Sequence, residues 1–305
     1  KIGIIGSGGV GGFFGAKLAK SGQDVTFIQR GAHLEAMQRN GLKVESGLGD
    51  ITLPVVRATD NPGEVGLVDV VLVTVKSGQT DEAVELTKPM MGKNTAVITL
   101  QNGVENEHRL VKKLGEGNVL GGVAYILSLI KAPGLIQQTG PMARLEFGEL
   151  DGTRSRRALE FLEACENASI EATLSDNIQQ NIWKKFVFLC PHNGMTSLTR
   201  SSIGSIRDDQ DCRALLEGAV NEVLLLAGAK GVSVGLNGSS EVMKLYDSMP
   251  HAMTSSMHYD VMNNKPLELD WLNGAVIRLG KEVGVATPIN SFIYAALKLL
   301  KDGSA

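Results

Sequence analysis

Two lysines lie inside an otherwise apolar run that has helical spacing. The run extends from Asn181 to Phe188, with Lys184 and Lys185 at its centre. If one lysine faces water, helical geometry turns the other toward apolar neighbours. Desolvation lowers the pKa of a buried lysine, so it can give up a proton near neutral pH, as the reduction of a carbonyl requires. The alternative is a lysine whose chain reaches solvent and has no chemical role.

A glycine-rich turn near the start of the chain predicts a dinucleotide site. The β-branched run Ile2 to Ile5 is typical of a buried strand, and a helical pattern follows from Phe13 to Ala19. The turn between them has the spacing GxGxxG, which brings backbone N–H groups and a helix N-terminus to a pyrophosphate. The expected cofactor-binding residues of this loop are Gly6, Ser7, Gly8, Gly9, Val10 and Gly11.

The end of the second predicted strand indicates which dinucleotide binds. An NAD site usually has Asp or Glu about 20 residues after the glycines. Here the strand Val25 to Ile28 is followed by Gln29, Arg30 and Gly31, so no carboxylate is present. The guanidinium of Arg30 offers a fork of donors suited to a phosphate. The sequence therefore predicts NADP, with Arg30 at the 2'-phosphate.

Polar residues also follow two further predicted strands, where ligands gather in a parallel sheet. Lys76 and Gln79 follow Val68 to Val75, and Asn102 follows Ala96 to Leu100. Lys76 could hold a phosphate or a carboxylate, and Asn102 could orient a nicotinamide or a carbonyl. Surface charge is the alternative for Lys76, and a plain Asn-Gly turn is the alternative for Asn102.

Two polar residues late in the chain, Glu268 and Ser256, can each be explained by a role in helix capping alone. The pattern predicts a helix over Pro266 to Val283, which puts Glu268 in its first turn, where a carboxylate favours the helix dipole. Ser256 could equally be a helix cap.

Composition excludes several classes of protein. The chain has 305 residues, a formal net charge of −3 and 43% hydrophobic residues. This balance gives no reason to expect nucleic-acid or membrane partners, and no apolar run approaches the ~20 residues of a membrane span. The three cysteines and five histidines show neither a disulfide framework nor metal-ligand spacing. A strand begins at once, so no signal peptide is expected, and we expect a cytoplasmic protein without a metal.

The elements that would position these residues fall into two groups. Strand-like and helical stretches alternate up to about residue 125, and two alternating runs, Leu135–Gln138 and Ala143–Phe147, follow as an antiparallel addition. From residue 176 the pattern is helical. The sequence predicts an α/β plus all-α protein, with a Rossmann-type doubly wound sheet in residues 1–175 (NADP binding) and a helical domain in residues 176–305 (substrate and catalysis).

These residues together resemble the ketopantoate reductases (2-dehydropantoate 2-reductases) from end to end. The resemblance implies that Lys185 is the proton donor, and that Lys76 and Asn102 face the nicotinamide. It also implies that Ser256 binds the substrate carboxylate and that Glu268 contacts the cofactor and the reacting centre. The motifs that carry it are the Gly6–Gly11 loop, Arg30, Lys76 with Gln79, Leu100–Gly103, Trp183–Lys185, Ser255–Met257 with Asp260, and Glu268.

One departure from the family pattern bears on the substrate. The family places two asparagines after the lysine to bind substrate; the second matches Asn193, but the first is Leu189 here. Loss of a hydrogen bond to a buried hydroxyl discriminates against that hydroxyl. The predicted reaction is NADPH-dependent reduction of 2-dehydropantoate, and another 2-keto acid with a less polar tail stays open.

Two further alternatives follow from the same residues. A β-hydroxyacid or polyol-phosphate dehydrogenase also pairs such domains, but it predicts an acid where Arg30 stands. A catalytically silent NADP-binding protein is the alternative from another class. The sequence leaves both a monomer and a homodimer open.

Overall fold

The computed structural model describes residues 1–303, and the chain divides into two compact units. One consists of Lys1–Gln101 and Asn106–Ile178, and the other of Asn102–Glu105 together with the chain from Gln179 on. The short segment Asn102–Glu105 therefore groups with the helical part of the chain, although it follows a strand of the first unit. Among the described residues no helix has the length and hydrophobicity that crossing a membrane requires.

The first unit is built on a ten-stranded sheet whose centre is parallel, as a doubly wound fold requires. In spatial order the strands run β4, β3, β9, β8, β7, β6, β1, β2, β5, and β10 pairs with β9. The strands are β1 Ile2–Ile5, β2 Val25–Ile28, β3 Leu42–Ser46, β4 Ile51–Leu53, β5 Arg57–Thr59, β6 Val68–Val73, β7 Met91–Thr99, β8 Val119–Ala132, β9 Leu135–Glu149 and β10 Glu171–Leu174.

The chain reverses its winding direction at β1, because β2 pairs with one edge of β1 and β6 with the other. Ligands of doubly wound folds bind beyond the carboxyl ends of the strands at such a point. The helices of this unit are α1 Gly9–Lys20, α2 Gly31–Asn40, α3 Thr80–Thr87, α4 Asn106–Leu114 and α5 Arg156–Asn167.

The antiparallel addition is longer than the sequence predicted. β8 and β9 pair antiparallel along almost their whole length, from Leu120 opposite Glu149 to Ala132 opposite Leu135. The sequence predicts alternating strands and helices only up to about residue 125, whereas β8 continues to Ala132. Pairing along the backbone, rather than burial, continues this strand.

The second unit is helical, and its core is formed by large apolar side chains from several helices. Trp183, Phe186, Val223 and Tyr246 are all buried in one cluster. The helices are α6 Ile178–Thr199, α7 Ile203–Asp208, α8 Gln210–Ala229, α9 Ser239–Ser248, α10 Ser256–Met262, α11 Asn273–Val283 and α12 Pro288–Leu297. An α/β unit followed by a helical one is the predicted fold class.

The prediction of a helix from Pro266 is wrong, because α11 begins only at Asn273. The backbone N–H of Leu267 donates to the carbonyl of Lys301 at 2.8 Å, and a salt bridge joins Asp270 to Lys301 at 3.0 Å. Residues 266–268 are irregular and residues 269–272 form turns, and these two bonds tie the segment to Lys301. Glu268 therefore precedes α11, whose first turn contains no acidic residue.

Candidate active site

The glycine loop places β1 and α1 in close contact. Gly6 has a φ of +90°, and a Cβ there would lie 2.6 Å from the Val75 side chain. A Cβ on Gly11 would lie 2.3 Å from the carbonyl oxygen of Gly6. A side chain at either position would clash with the protein itself, so folding alone explains why both residues are glycine. Gly8 differs, because a Cβ there would meet no atom within 4 Å.

The polar groups of this loop fit a pyrophosphate. α1 begins at Gly9, four residues earlier than predicted, so the loop supplies the N–H groups of its first turn. Gly8, the N-cap, provides no side-chain hydrogen bond, and the first turn has no acidic residue. Ser7 is fully buried, and its Oγ has no hydrogen-bond partner in the described chain. A helix N-terminus with an orphaned buried hydroxyl beside it is suited to an anion.

A buried histidine supports the loop from α2. The backbone N–H of Gly134 donates to His33 Nδ1 at 3.0 Å, which requires Nδ1 to be unprotonated. The proton is therefore on Nε2, which donates to the carbonyl of Ser7 at 3.0 Å. Burial lowers the pKa of His33, and this favours the neutral ring that both bonds require. No motif spacing marks His33 in the sequence, so it is not among the predicted site residues.

Arg30 lies where the sequence predicted it, between β2 and α2, but it has an acidic partner. Its Nη1 lies 2.6 Å from Glu82 Oε1, and both side chains are exposed. Glu82 belongs to α3, which follows a different strand of the sheet. The residues immediately after β2 include no carboxylate, and Glu82 of α3 places one beside Arg30 instead. No local sequence signal could have identified it.

Lys76 and Gln79 lie beyond the carboxyl end of β6, as predicted. Lys76 is exposed, and Gln79 is half-buried immediately before α3. Two side-chain hydrogen bonds, one buried and one part-buried, fix the turn between them. Arg109 donates to the carbonyl of Ser77 at 2.7 Å, and Thr80 Oγ1 donates to the same carbonyl at 2.8 Å.

In the helical unit, α6 presents the two lysines as the periodicity predicts. Lys184 is exposed and Lys185 is half-buried. The Nζ of Lys185 donates to Asn102 Oδ1 at 2.8 Å. The amide of Asn102 then donates from Nδ2 to Glu268 Oε2 at 3.3 Å. Three residues that are distant in sequence thus form one hydrogen-bonded chain with an ammonium at one end and a carboxylate at the other.

A second polar group lies two turns further along α6. Asn193 is fully buried, and its Oδ1 accepts from Ser256 Oγ at 3.3 Å and from the Met257 N–H at 3.0 Å. Its Nδ2 donates to the carbonyl of Leu189 at 2.9 Å. Ser256 itself is exposed. The cap of α10 is the neighbouring Ser255, which accepts from the His258 N–H, so the alternative that Ser256 is the cap is wrong.

The loop before α10 is fixed to α6 by two further bonds, whose residues no sequence motif marks. Thr196 Oγ1 and Ser255 Oγ lie 2.7 Å apart, and His192 Nε2 lies 3.3 Å from the carbonyl of Thr254. Burial lowers the pKa of His192 to about 4, so its ring is neutral near pH 7. α6 therefore carries Lys185 and also holds the serine loop.

The predicted site residues thus form two sets. The glycine loop, Arg30, Lys76 and Gln79 belong to the first unit, and Asn102, Lys185, Asn193, Ser256 and Glu268 belong to the second.

Two family models match successive parts of the chain. The family model described as ketopantoate reductase PanE/ApbA matches residues 2–152, and its C-terminal counterpart matches residues 177–301. The 2-dehydropantoate 2-reductase of Mesorhizobium japonicum is 30% identical over 98% of this chain and 97% of its own.

Solved structures give the same result. A crystal structure of 2-dehydropantoate 2-reductase from Geobacter metallireducens GS-15 matches with a TM-score of 0.91 and 31% identity, covering 98% of this chain and 99% of its own. The ternary structure of D-mandelate dehydrogenase with NADH and anilino(oxo)acetate shares the fold, with a TM-score of 0.88 at 23% identity, covering 98% and 97% of the two chains.

Fold, site and relatives define a nicotinamide-dinucleotide-dependent oxidoreductase that acts on a CH–OH/C=O group. The chain belongs to the ketopantoate reductase family.

Proposed function

We propose that this chain reduces 2-dehydropantoate to (R)-pantoate with NADPH, as a step of pantothenate biosynthesis. The observation that carries the proposal is the hydrogen-bonded chain from Lys185 through Asn102 to Glu268. The ammonium group of Lys185 can donate a proton, and it is held by the neutral amide of Asn102, which in turn bonds to the Glu268 carboxylate. The names of the full-length relatives support the same substrate.

The cofactor would be held by the first unit. The N–H groups of the Gly6–Gly11 loop and the Ser7 hydroxyl would bind its pyrophosphate, Arg30 its 2'-phosphate, and Lys76 and Gln79 other polar groups of the dinucleotide. When bound, the nicotinamide supplies the hydride. The hydride would add to C2 of the keto acid, and the proton for its oxygen would come from the chain.

Lys185 would donate a proton from Nζ to the keto oxygen as negative charge develops there. An ammonium beside a nascent alkoxide also stabilises it electrostatically, in a half-buried position where water screens the charge less than in bulk. Asn102 orients Nζ through the 2.8 Å bond to its Oδ1. Glu268 would orient the Asn102 amide by accepting the 3.3 Å bond from its Nδ2.

Ser256 would bind the substrate carboxylate, since its side chain is exposed and its hydroxyl can turn the proton from Asn193 Oδ1, which keeps the Met257 N–H, to the carboxylate. We assign Asn193 itself to positioning, because it is fully buried and both of its polar atoms bond to protein. Its effect on the substrate is then exerted through Ser256.

A second candidate is supported by Leu189, which precedes Asn193 by one helical turn. Leu189 is half-buried and packs against the apolar cluster of the helical unit. An aliphatic side chain at this position favours a 2-keto acid whose tail lacks a hydroxyl. The chemistry and the roles of Lys185 and Ser256 would be the same for both substrates.

The test is NADPH oxidation, followed at 340 nm, with 2-dehydropantoate, 2-oxoisovalerate and pyruvate. A higher kcat/KM for 2-dehydropantoate supports the first candidate, and a preference for 2-oxoisovalerate supports the second. The variant Leu189→Asn is the matched control, because restoring the amide should shift the preference toward 2-dehydropantoate. Tight NADPH binding without oxidation by any of the three acids would overturn both candidates.

A further inference from the structure

The residue proposed to bind the 2'-phosphate is already paired with a carboxylate of the same unit. Arg30 Nη1 lies 2.6 Å from Glu82 Oε1, and Arg30 Nη2 lies 3.5 Å from Glu82 Oε2. We propose that Glu82 is a cofactor-specificity residue, which opposes the 2'-phosphate of NADPH and so narrows the preference of the chain for NADPH over NADH. This inference rests on the proposed function, in which Arg30 receives the 2'-phosphate.

The opposition has a simple electrostatic origin. A 2'-phosphate that bonds to the Arg30 guanidinium must approach the Glu82 carboxylate, which holds one edge of the same group. Like charges a few ångströms apart in an exposed site repel by about 1 kcal/mol per pair of unit charges. Arg30 has further donors, so both anions can share it, but the carboxylate lowers the net gain from the phosphate.

The same carboxylate suits the cofactor that lacks the phosphate. NAD sites use an acidic side chain to accept a hydrogen bond from the ribose 2'-hydroxyl. That acid normally ends the second strand, where this chain has Gln29 and Arg30. Glu82 brings a carboxylate to the side chain of Arg30 from α3 instead. Arg30 would therefore be the partner for the 2'-phosphate of NADPH, and Glu82 the partner for the ribose 2'-hydroxyl of NADH.

The other acids of α3 are engaged elsewhere, which singles out Glu82. Asp81 pairs with Arg109 at 3.2 Å, and Glu85 pairs with Lys88 at 2.7 Å. Glu85 is exposed and lies one turn from Glu82 on the same helix. It is the matched control for charge on α3 that does not contact Arg30.

The experiment measures dissociation constants for NADPH and NADH by quenching of tryptophan fluorescence and by calorimetry. It uses the full chain and its Glu82→Gln, Glu85→Gln and Arg30→Gln variants. We expect Glu82→Gln to tighten NADPH about five- to tenfold without tightening NADH. Glu85→Gln should leave the ratio of the two constants unchanged. All the substituted side chains are exposed, so thermal unfolding should be the same for every variant.

The three variants separate the role of Glu82 from the assignment of Arg30 to the 2'-phosphate. Weaker NADPH binding by Glu82→Gln would overturn the inference, since Glu82 would then orient Arg30 for the phosphate. Equal effects of Glu82→Gln and Glu85→Gln would overturn it as well. If Arg30→Gln leaves NADPH binding unchanged, the 2'-phosphate assignment itself fails, and with it the NADP part of the proposed function. Loss of NADPH affinity in Arg30→Gln with no change in Glu82→Gln rejects the role of Glu82 alone.

Discussion

The two units of this chain build their functional groups in opposite ways. The glycine loop of the first unit consists of consecutive residues between β1 and α1, and its geometry follows from backbone contacts of glycines. The Lys185 group of the second unit joins residues separated by 83 and by 166 positions in the sequence. A local motif can fix a binding loop, whereas side chains that exchange protons are assembled by tertiary packing.

This difference has a consequence for mutations. Changes in the glycine loop should alter cofactor binding and stability, whereas changes in the Lys185 group should alter turnover. The following variants test that division, beginning with the largest expected effect.

Replacing Lys185 with alanine should lower kcat by about 10²- to 10⁴-fold, since a general acid is lost. NADPH binding should be unchanged, because the glycine loop belongs to the other unit. The control is Lys184→Ala, which removes the exposed neighbour on the same helix and should keep wild-type turnover. Equal loss of turnover in both variants would contradict the assignment.

Acid should destabilise the helical unit through His192. Burial lowers its pKa from 6.5 to about 4, so the folded state resists protonation while the unfolded state does not. This contribution is complete above pH 6.5 and is lost as the pH falls toward 4, by up to about 3 kcal/mol. Both tryptophans, Trp183 and Trp271, belong to this unit, so their fluorescence during urea unfolding reports on it. His192→Gln should show a shallower dependence on pH over this interval, and an equally steep one would refute the prediction.

Two adjacent serines should separate substrate binding from stability. Ser256→Ala should raise KM for the keto acid about tenfold or more, the value of a hydrogen bond to a charged group. Ser255→Ala should instead lower the free energy of unfolding by about 1 kcal/mol, since Ser255 caps α10. Steady-state kinetics and urea unfolding of both variants distinguish the two effects. The reverse pattern would show that the roles are exchanged.

Two glycines of the loop should likewise behave differently. Gly11→Ala should destabilise the first unit by about 1–3 kcal/mol, because its Cβ would meet the Gly6 carbonyl at 2.3 Å. Gly8→Ala should leave thermal stability almost unchanged, since the space around its Cβ is open, but it should weaken NADPH binding. If Gly8→Ala binds NADPH normally, the pyrophosphate does not lie against this residue.

The smallest expected effect concerns the support of the loop by His33. The amide of glutamine can replace Nε2 and donate to the Ser7 carbonyl, whereas asparagine can replace only Nδ1 and accept from Gly134. His33→Asn should therefore weaken NADPH about fivefold, the value of one hydrogen bond, and His33→Gln should weaken it less. Equal losses in NADPH affinity would mean that His33 acts only on folding.

Local patterns predicted the elements that frame the dinucleotide site. The strands at Ile2 and Val25 and the glycine turn between them are confirmed, because their periodicity and turn residues agree with the final backbone. The helix predicted from Pro266 failed for the opposite reason. Proline and a following acidic residue favour a helix start, but bonds to Lys301 tie down that segment, which is irregular up to residue 268 and forms turns from 269 to 272.

The site residues, like the fold, could be predicted only where the signal is local in the sequence. Helical periodicity indicated that one of Lys184 and Lys185 is shielded, and the family resemblance indicated which. The Glu82 carboxylate beside Arg30 could not be predicted, because it arrives from a helix that follows a different strand. The functional roles of these residues stay predictions until the variants are measured.

The most direct test of the account is chemical rescue of the Lys185→Ala variant. NADPH oxidation by this variant would be measured with rising concentrations of methylammonium, and with tetramethylammonium as a cation that has no proton to donate. If Lys185 is the proton donor, methylammonium should restore turnover in proportion to its concentration, and tetramethylammonium should not. Equal acceleration by both cations, or none by methylammonium while NADPH still binds, would contradict proton donation by Lys185.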